Sequence, residues 1–153
     1  MTRFILLLGI FFGSHVLQAQ TFNGVGGAIP DNSTQTCFNI NVTGVGPVNG
    51  TYGLSSVCFT INHPFVSDLE VYLRAPDGTM VALTIGNGGL GANYNNTCFT
   101  STAATSITAG TAPFSGNYTP EQNLGLVNNG QNANDTWSLC IEDVSAFDAG
   151  HLV

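Results

Sequence analysis

His63 stands just ahead of Ser67 and Asp68, the residue types of a serine-hydrolase triad. A triad needs nucleophile, base and orienting acid converging on one point. Neighbouring residues on a strand point to opposite faces instead. The sequence also holds no His-Gly-Thr-His, Gly-Thr-Ser-Met-Ala or Gly-x-Ser-x-Gly segment. No residue is therefore assigned a catalytic role. His63 is expected at a strand end, hydrogen-bonded to the following turn.

The carboxylates are more suggestive. Asp68 and Glu70 stand two apart, Glu142 and Asp143 end an apolar run, and Asp148 follows. Asp68, Asp143 and Asp148 converge if those two strand ends are neighbours. Calcium takes several oxygen ligands, some of them carboxylates, so these three are the candidate calcium ligands. Gly86-Asn-Gly88-Gly-Leu-Gly91 satisfies the dinucleotide fingerprint G-x-G-x-x-G. The residues after it do not open a helix, and no acid follows about twenty residues on. A turn is the expected role.

The four cysteines are Cys37, Cys58, Cys98 and Cys140. They include no C-x-x-C pair, which disfavours a structural zinc site. An even number in an exported chain implies two disulfides, and the three possible pairings stay open. Export is indicated by the first residues. Arg3 precedes the apolar run Phe4–Phe12, and Leu17-Gln18-Ala19 offers a small residue at a cleavage point. The run is too short for a bilayer, which takes about 20 residues. Residues 1–19 are expected as a signal peptide, with a secreted mature chain and no membrane insertion after cleavage.

Composition narrows the function further. The chain of 153 residues has no lysine, and nine acids against two arginines give a net charge of −7. It cannot neutralise a run of phosphates, so nucleic acid is excluded as a partner. Hydrophobic residues make up 43%, enough for a core, while abundant Gly, Thr and Asn favour strands and turns.

The elements that must position these residues are strands. Phe38, Ile40 and Val42 alternate with polar residues, as do Val57, Phe59 and Ile61. Leu69, Val71 and Leu73 run into Pro76-Asp77-Gly78, and Val81, Leu83 and Ile85 return, which specifies a hairpin. Trp137, Leu139 and Ile141 mark another strand, and His151 begins a last, truncated one. Residues 20–34 are expected as a surface loop and 86–135 as a long irregular stretch. One apolar face per strand predicts an all-β, two-sheet sandwich over residues 35–153. Cys37, Cys58 and Cys140 fall out of phase with the aliphatic residues, so the bridges should latch the outer faces.

One stretch is specific: Ile61-Asn-His63-Pro-Phe-Val-Ser-Asp68-Leu69, an alternating strand, then Pro76-Asp-Gly78-Thr79 and a second strand ending at Leu83. It resembles the hallmark of the proprotein convertase P domain, or P/Homo B domain. Ala112–Glu121, Asn129–Asn134 and Thr136-Trp137-Ser-Leu139 fit the bacterial branch in order. The resemblance implies a jelly-roll sandwich, galactose-binding-domain-like. It also implies an accessory module beside a subtilisin-like serine endopeptidase or another secreted partner, with calcium as a cofactor. Two acids usual in the family between Phe99 and Ala103 are replaced by Thr100, Ser101 and Thr102. The alternative is a free-standing adhesion or glycan-binding sandwich, with Tyr52, Tyr72, Tyr94 and Tyr118 lining a polar face.

Overall fold

The computed structural model describes residues 19–153, so the leader assigned to residues 1–19 lies, apart from Ala19, outside the described residues. Nine strands form: β1 (Gly27–Ile29), β2 (Thr36–Asn41), β3 (Ser56–Asn62), β4 (Leu69–Arg74), β5 (Met80–Ile85), β6 (Tyr94–Thr100), β7 (Phe114–Tyr118), β8 (Thr136–Asp143) and β9 (Gly150–Leu152). They make two sheets, ordered β1-β9-β3-β6-β7 and β2-β8-β4-β5. With β7 set aside, the two orders interleave as in a jelly roll. β7 joins β6 in parallel, the other pairings being antiparallel.

The apolar faces meet between the sheets, as their alternation requires. Ile61, Leu69, Val71, Val81, Leu83, Phe99 and Ile141 are fully buried there. An aromatic row stiffens the first sheet. Phe59 stacks on Phe99 at 5.4 Å, and Tyr94 stacks on Phe114 at 5.0 Å. Each such pair adds about 0.5–1.5 kcal/mol beyond its burial. Leu69, Pro76, Gly78, Thr79 and Trp137 of the recognised motif have structural roles. Gly78 has φ +88 in the β4–β5 turn, a conformation that favours glycine. Thr79 N donates to Asp77 Oδ1 (2.9 Å), and Trp137 Nε1 donates to Ala133 O (3.0 Å).

The edge of β5 is capped rather than left open. Glu121 N and Gln122 N donate to Leu83 O and Ala82 O. Their side chains accept from Ile85 N (2.7 Å) and Ala82 N (2.9 Å). An edge saturated in this way offers no template for another strand.

Three expectations need correction. Residues 20–34 are not all loop, because β1 pairs with β9 there. The 86–135 stretch contains β6 and β7. β6 hides its period because Tyr94 and Thr97 are buried beside two exposed asparagines. A β-bulge between Phe59 and Ile61 also shifts its register on β3. Of the four tyrosines named for a polar face, Tyr94 drops out. Tyr94 is completely buried, its hydroxyl 3.3 Å from Thr84 Oγ1, and burial pushes its pKa up to about 12.

The disulfides are Cys37–Cys140 and Cys58–Cys98. Each joins residues directly opposite in the register, the first linking β2 to β8 and the second β3 to β6. They lie outside the core cluster, as the phase predicts. Cys140 is nevertheless buried, because β2 and β4 flank its strand. Sequence separations of 103 and 40 residues rank the bridges. Chain-entropy arithmetic gives ~4.7 and ~3.9 kcal/mol respectively. Replacing both members of each pair by alanine should lower the urea-unfolding free energy by about these amounts, with Cys37→Ala/Cys140→Ala the less stable variant.

Candidate functional site

β3 and β8 belong to different sheets, yet their ends meet through His63 and Asp143. His63 follows the last residue of β3, and Asp143 is the last residue of β8. His63 Nε2 donates to Asp143 Oδ2 at 2.9 Å, and both side chains are fully buried. Asn93 fixes the His63 backbone, accepting its N–H on Oδ1 (3.0 Å) and donating its own N–H to His63 O (3.1 Å). Asn93 has φ +69, a left-handed conformation that asparagine tolerates better than most residues. Gly150 of β9 packs on the ring, where an added Cβ would stand 2.6 Å from His63 Cδ2.

The other ring nitrogen faces the following turn, as expected. Nδ1 lies 2.9 Å from Phe65 O and 3.2 Å from Phe65 N. It accepts from the amide when the ring is neutral and donates to the carbonyl when the ring is protonated. Ser67 Oγ donates to Asp68 Oδ1 at 3.3 Å instead of facing the imidazole. A base must reach the proton it abstracts. His63 has both nitrogens engaged and no exposed surface, so it cannot serve Ser67.

Asp148 stands beside this pair, its Oδ1 3.7 Å from His63 Nε2. That oxygen is buried without a hydrogen-bond partner. His63, Asp143 and Asp148 each bring one potential ligand atom within 4.8 Å of the others. The close trio therefore contains His63, where the sequence pointed to Asp68. Asp68 ends a 3-10 turn (Val66–Asp68) rather than lying on the face of β4 with Glu70. It borders the same loop, its carbonyl accepting from Val144 N at 2.9 Å. Asp31 holds the loop from the other side, its Oδ2 accepting from Phe147 N at 2.7 Å.

The electrostatics follow from this crowding. Burial pushes the Asp148 carboxyl above its ordinary 3.8; His63 opposes the shift, and Asp143, Asp68 and Asp31 reinforce it. Calcium would need six to eight oxygens. Asp143 spends one oxygen on His63 and the other on Ser145 N (3.3 Å). Asp68, named from the sequence with Asp143 and Asp148, is not among the three groups whose ligand atoms lie within 4.8 Å of one another.

A groove of about 530 Å³ opens there, lined by Phe65, Ser67, Asp68, Leu90, Phe147 and Asp148 among others. The glycine-rich loop supplies Leu90. Gly86, Gly88 and Gly89 have positive φ, and Gly88 has no room for a Cβ against Val66 and Phe114. This is a tight turn, not a phosphate cradle. Strand phase gave no sign of the His63–Asp143 pair, Asn93 or Phe147. An asparagine between Ala92 and Tyr94 was the one local hint.

Breaking a buried pair by removing one partner destabilises by about 3–5 kcal/mol. His63→Ala and Asp143→Ala should each show this in urea unfolding, and the double variant should lose less than the sum. Asp148 works in the opposite sense. Its raised folded pKa means that the native state loses stability as pH rises from 3.8 through the raised value. Asp148→Asn should abolish that part of the pH dependence and be at least as stable as wild type above it, as read from denaturation midpoints.

A family model, the proprotein convertase P-domain, matches residues 55–153, which hold both His63 and the Asp143–Asp148 loop. A search of the curated proteins found no match. By the extent of that match the chain belongs to the proprotein convertase P-domain family.

Proposed function

We propose that the chain is a non-catalytic P-domain module, secreted, that stabilises or targets a subtilisin-like serine endopeptidase or another secreted partner. The engagement of both His63 ring nitrogens within the protein carries this reading. The residue best suited to general-base work is locked into joining the two sheets. Two disulfides suit an oxidising compartment outside the cytoplasm. Among the described residues, no helix is long and apolar enough to cross a membrane.

Calcium belongs to the same proposal at the outer side of the loop, where Asp148 and Asp68 would hold it. A bound ion would tie the 144–148 loop to the 3-10 turn. Extracellular sites of this type bind at about 10⁻⁴–10⁻³ M.

The test has two arms. Purified chain should leave a fluorescent casein substrate intact, yet slow the thermal inactivation of a subtilisin-like protease secreted by the same source. Unaided cleavage would overturn the module reading, and so would no effect on any such protease. Thermal melts should rise in millimolar calcium relative to EDTA, and less so in Asp148→Asn. A melt indifferent to calcium removes the ion from the proposal and leaves the module.

A further inference from the structure

Large apolar side chains are rarely exposed together on a soluble domain. Phe147 is 100% and Leu90 88% exposed, with Phe65 also exposed, and all three line the one groove beside Asp148. Phe147 has φ +91, which is unusual for a bulky side chain. The bond from Phe147 N to Asp31 Oδ2 holds it there, keeping the ring in water. A backbone strained to expose an aromatic ring points to recognition.

Charge decides what the groove accepts. Asp68 and Asp148 lie in its wall, and Asp143 and Asp31 are close enough to act on Asp148. No lysine or arginine lines it. The one arginine of the described residues, Arg74, is on β4. An anionic or purely apolar partner would leave these carboxylates uncompensated. An arginine or lysine satisfies both features, laying its aliphatic stem on Phe147 and Leu90 and its charged head on the carboxylates.

We propose that this groove, between the 64–68 turn, Leu90 and the 145–148 loop, docks a protein segment carrying an arginine or lysine next to a large apolar residue. Asp68 and Asp148, both in the groove wall, give the charged head its carboxylate partners. This inference rests on the chain being a non-catalytic recognition module, names the surface by which it would hold its partner, and takes Asp68 and Asp148 free of calcium, so that the ion and the basic residue compete for them.

The experiment is an NMR titration of the ¹⁵N-labelled chain with N-acetyl-Phe-Arg-amide. The control is the neutral isostere N-acetyl-Phe-citrulline-amide. The arginine peptide should shift amides at residues 64–68, 90 and 145–148, saturating on the order of millimolar peptide. The citrulline peptide should bind about tenfold more weakly. Asp148→Asn should also bind the arginine peptide about tenfold more weakly. Phe147→Gly, which relieves the positive φ and so keeps the fold, should weaken it as well. Equal binding of both peptides, or no shift at these residues, would overturn the proposal. So would shifts there with calcium chloride but none with the arginine peptide. If such a failure came with continued stabilisation of a protease, the groove assignment would fall while the module reading stood.

Discussion

The hydrogen bond between His63 Nε2 and Asp143 Oδ2 fixes how the two sheets end. Both groups are fully buried. A buried polar pair of this kind adds little net stability over an apolar replacement, but it strongly penalises any arrangement that separates the partners. Position is what it supplies. β3 and β8 must finish at the same depth, and Gly150 must pass closely over the ring. The Val66–Asp68 turn and the 144–148 loop then leave from fixed points, bonded through Val144 N and Asp68 O.

That arrangement places adaptable chemistry on a stiff support. The sheets are closed by aliphatic side chains, an aromatic row and two disulfides, and the β5 edge is capped by Glu121 and Gln122. Three exposed apolar side chains, Phe65, Leu90 and Phe147, instead meet Asp68 and Asp148 at one loop end. Loops held by a rigid sandwich are where recognition sites concentrate. The same geometry that encloses His63 leaves Phe147 in solvent beside Asp68 and Asp148.

Strand alternation made much of this legible. β2, β3, β4, β5 and β8 follow from period-two patterns, and the β4–β5 hairpin follows from Pro76-Asp77-Gly78. β1 was hidden because its three residues gain their place from β9, a long-range pairing that local pattern does not encode. β6 and β7 were hidden by asparagine, threonine and glycine in a bulged ladder. At the site, strand-end reasoning brought Asp68, Asp143 and Asp148 to one end of the sandwich. It missed His63 as the partner of Asp143, because 80 residues separate them and register between sheets is not written in either strand. Phe147 was equally silent, since the partner of its amide, Asp31, lies 116 residues away.

The sheet-joining pair is tested most directly by long-range ¹H–¹⁵N correlation of the His63 imidazole in the labelled chain. A buried donor bonded to Asp143 should give a sharp, slowly exchanging Nε2 proton whose shift moves in Asp143→Asn. A ring proton that exchanges as freely as that of His151, with a shift indifferent to Asp143, would contradict it.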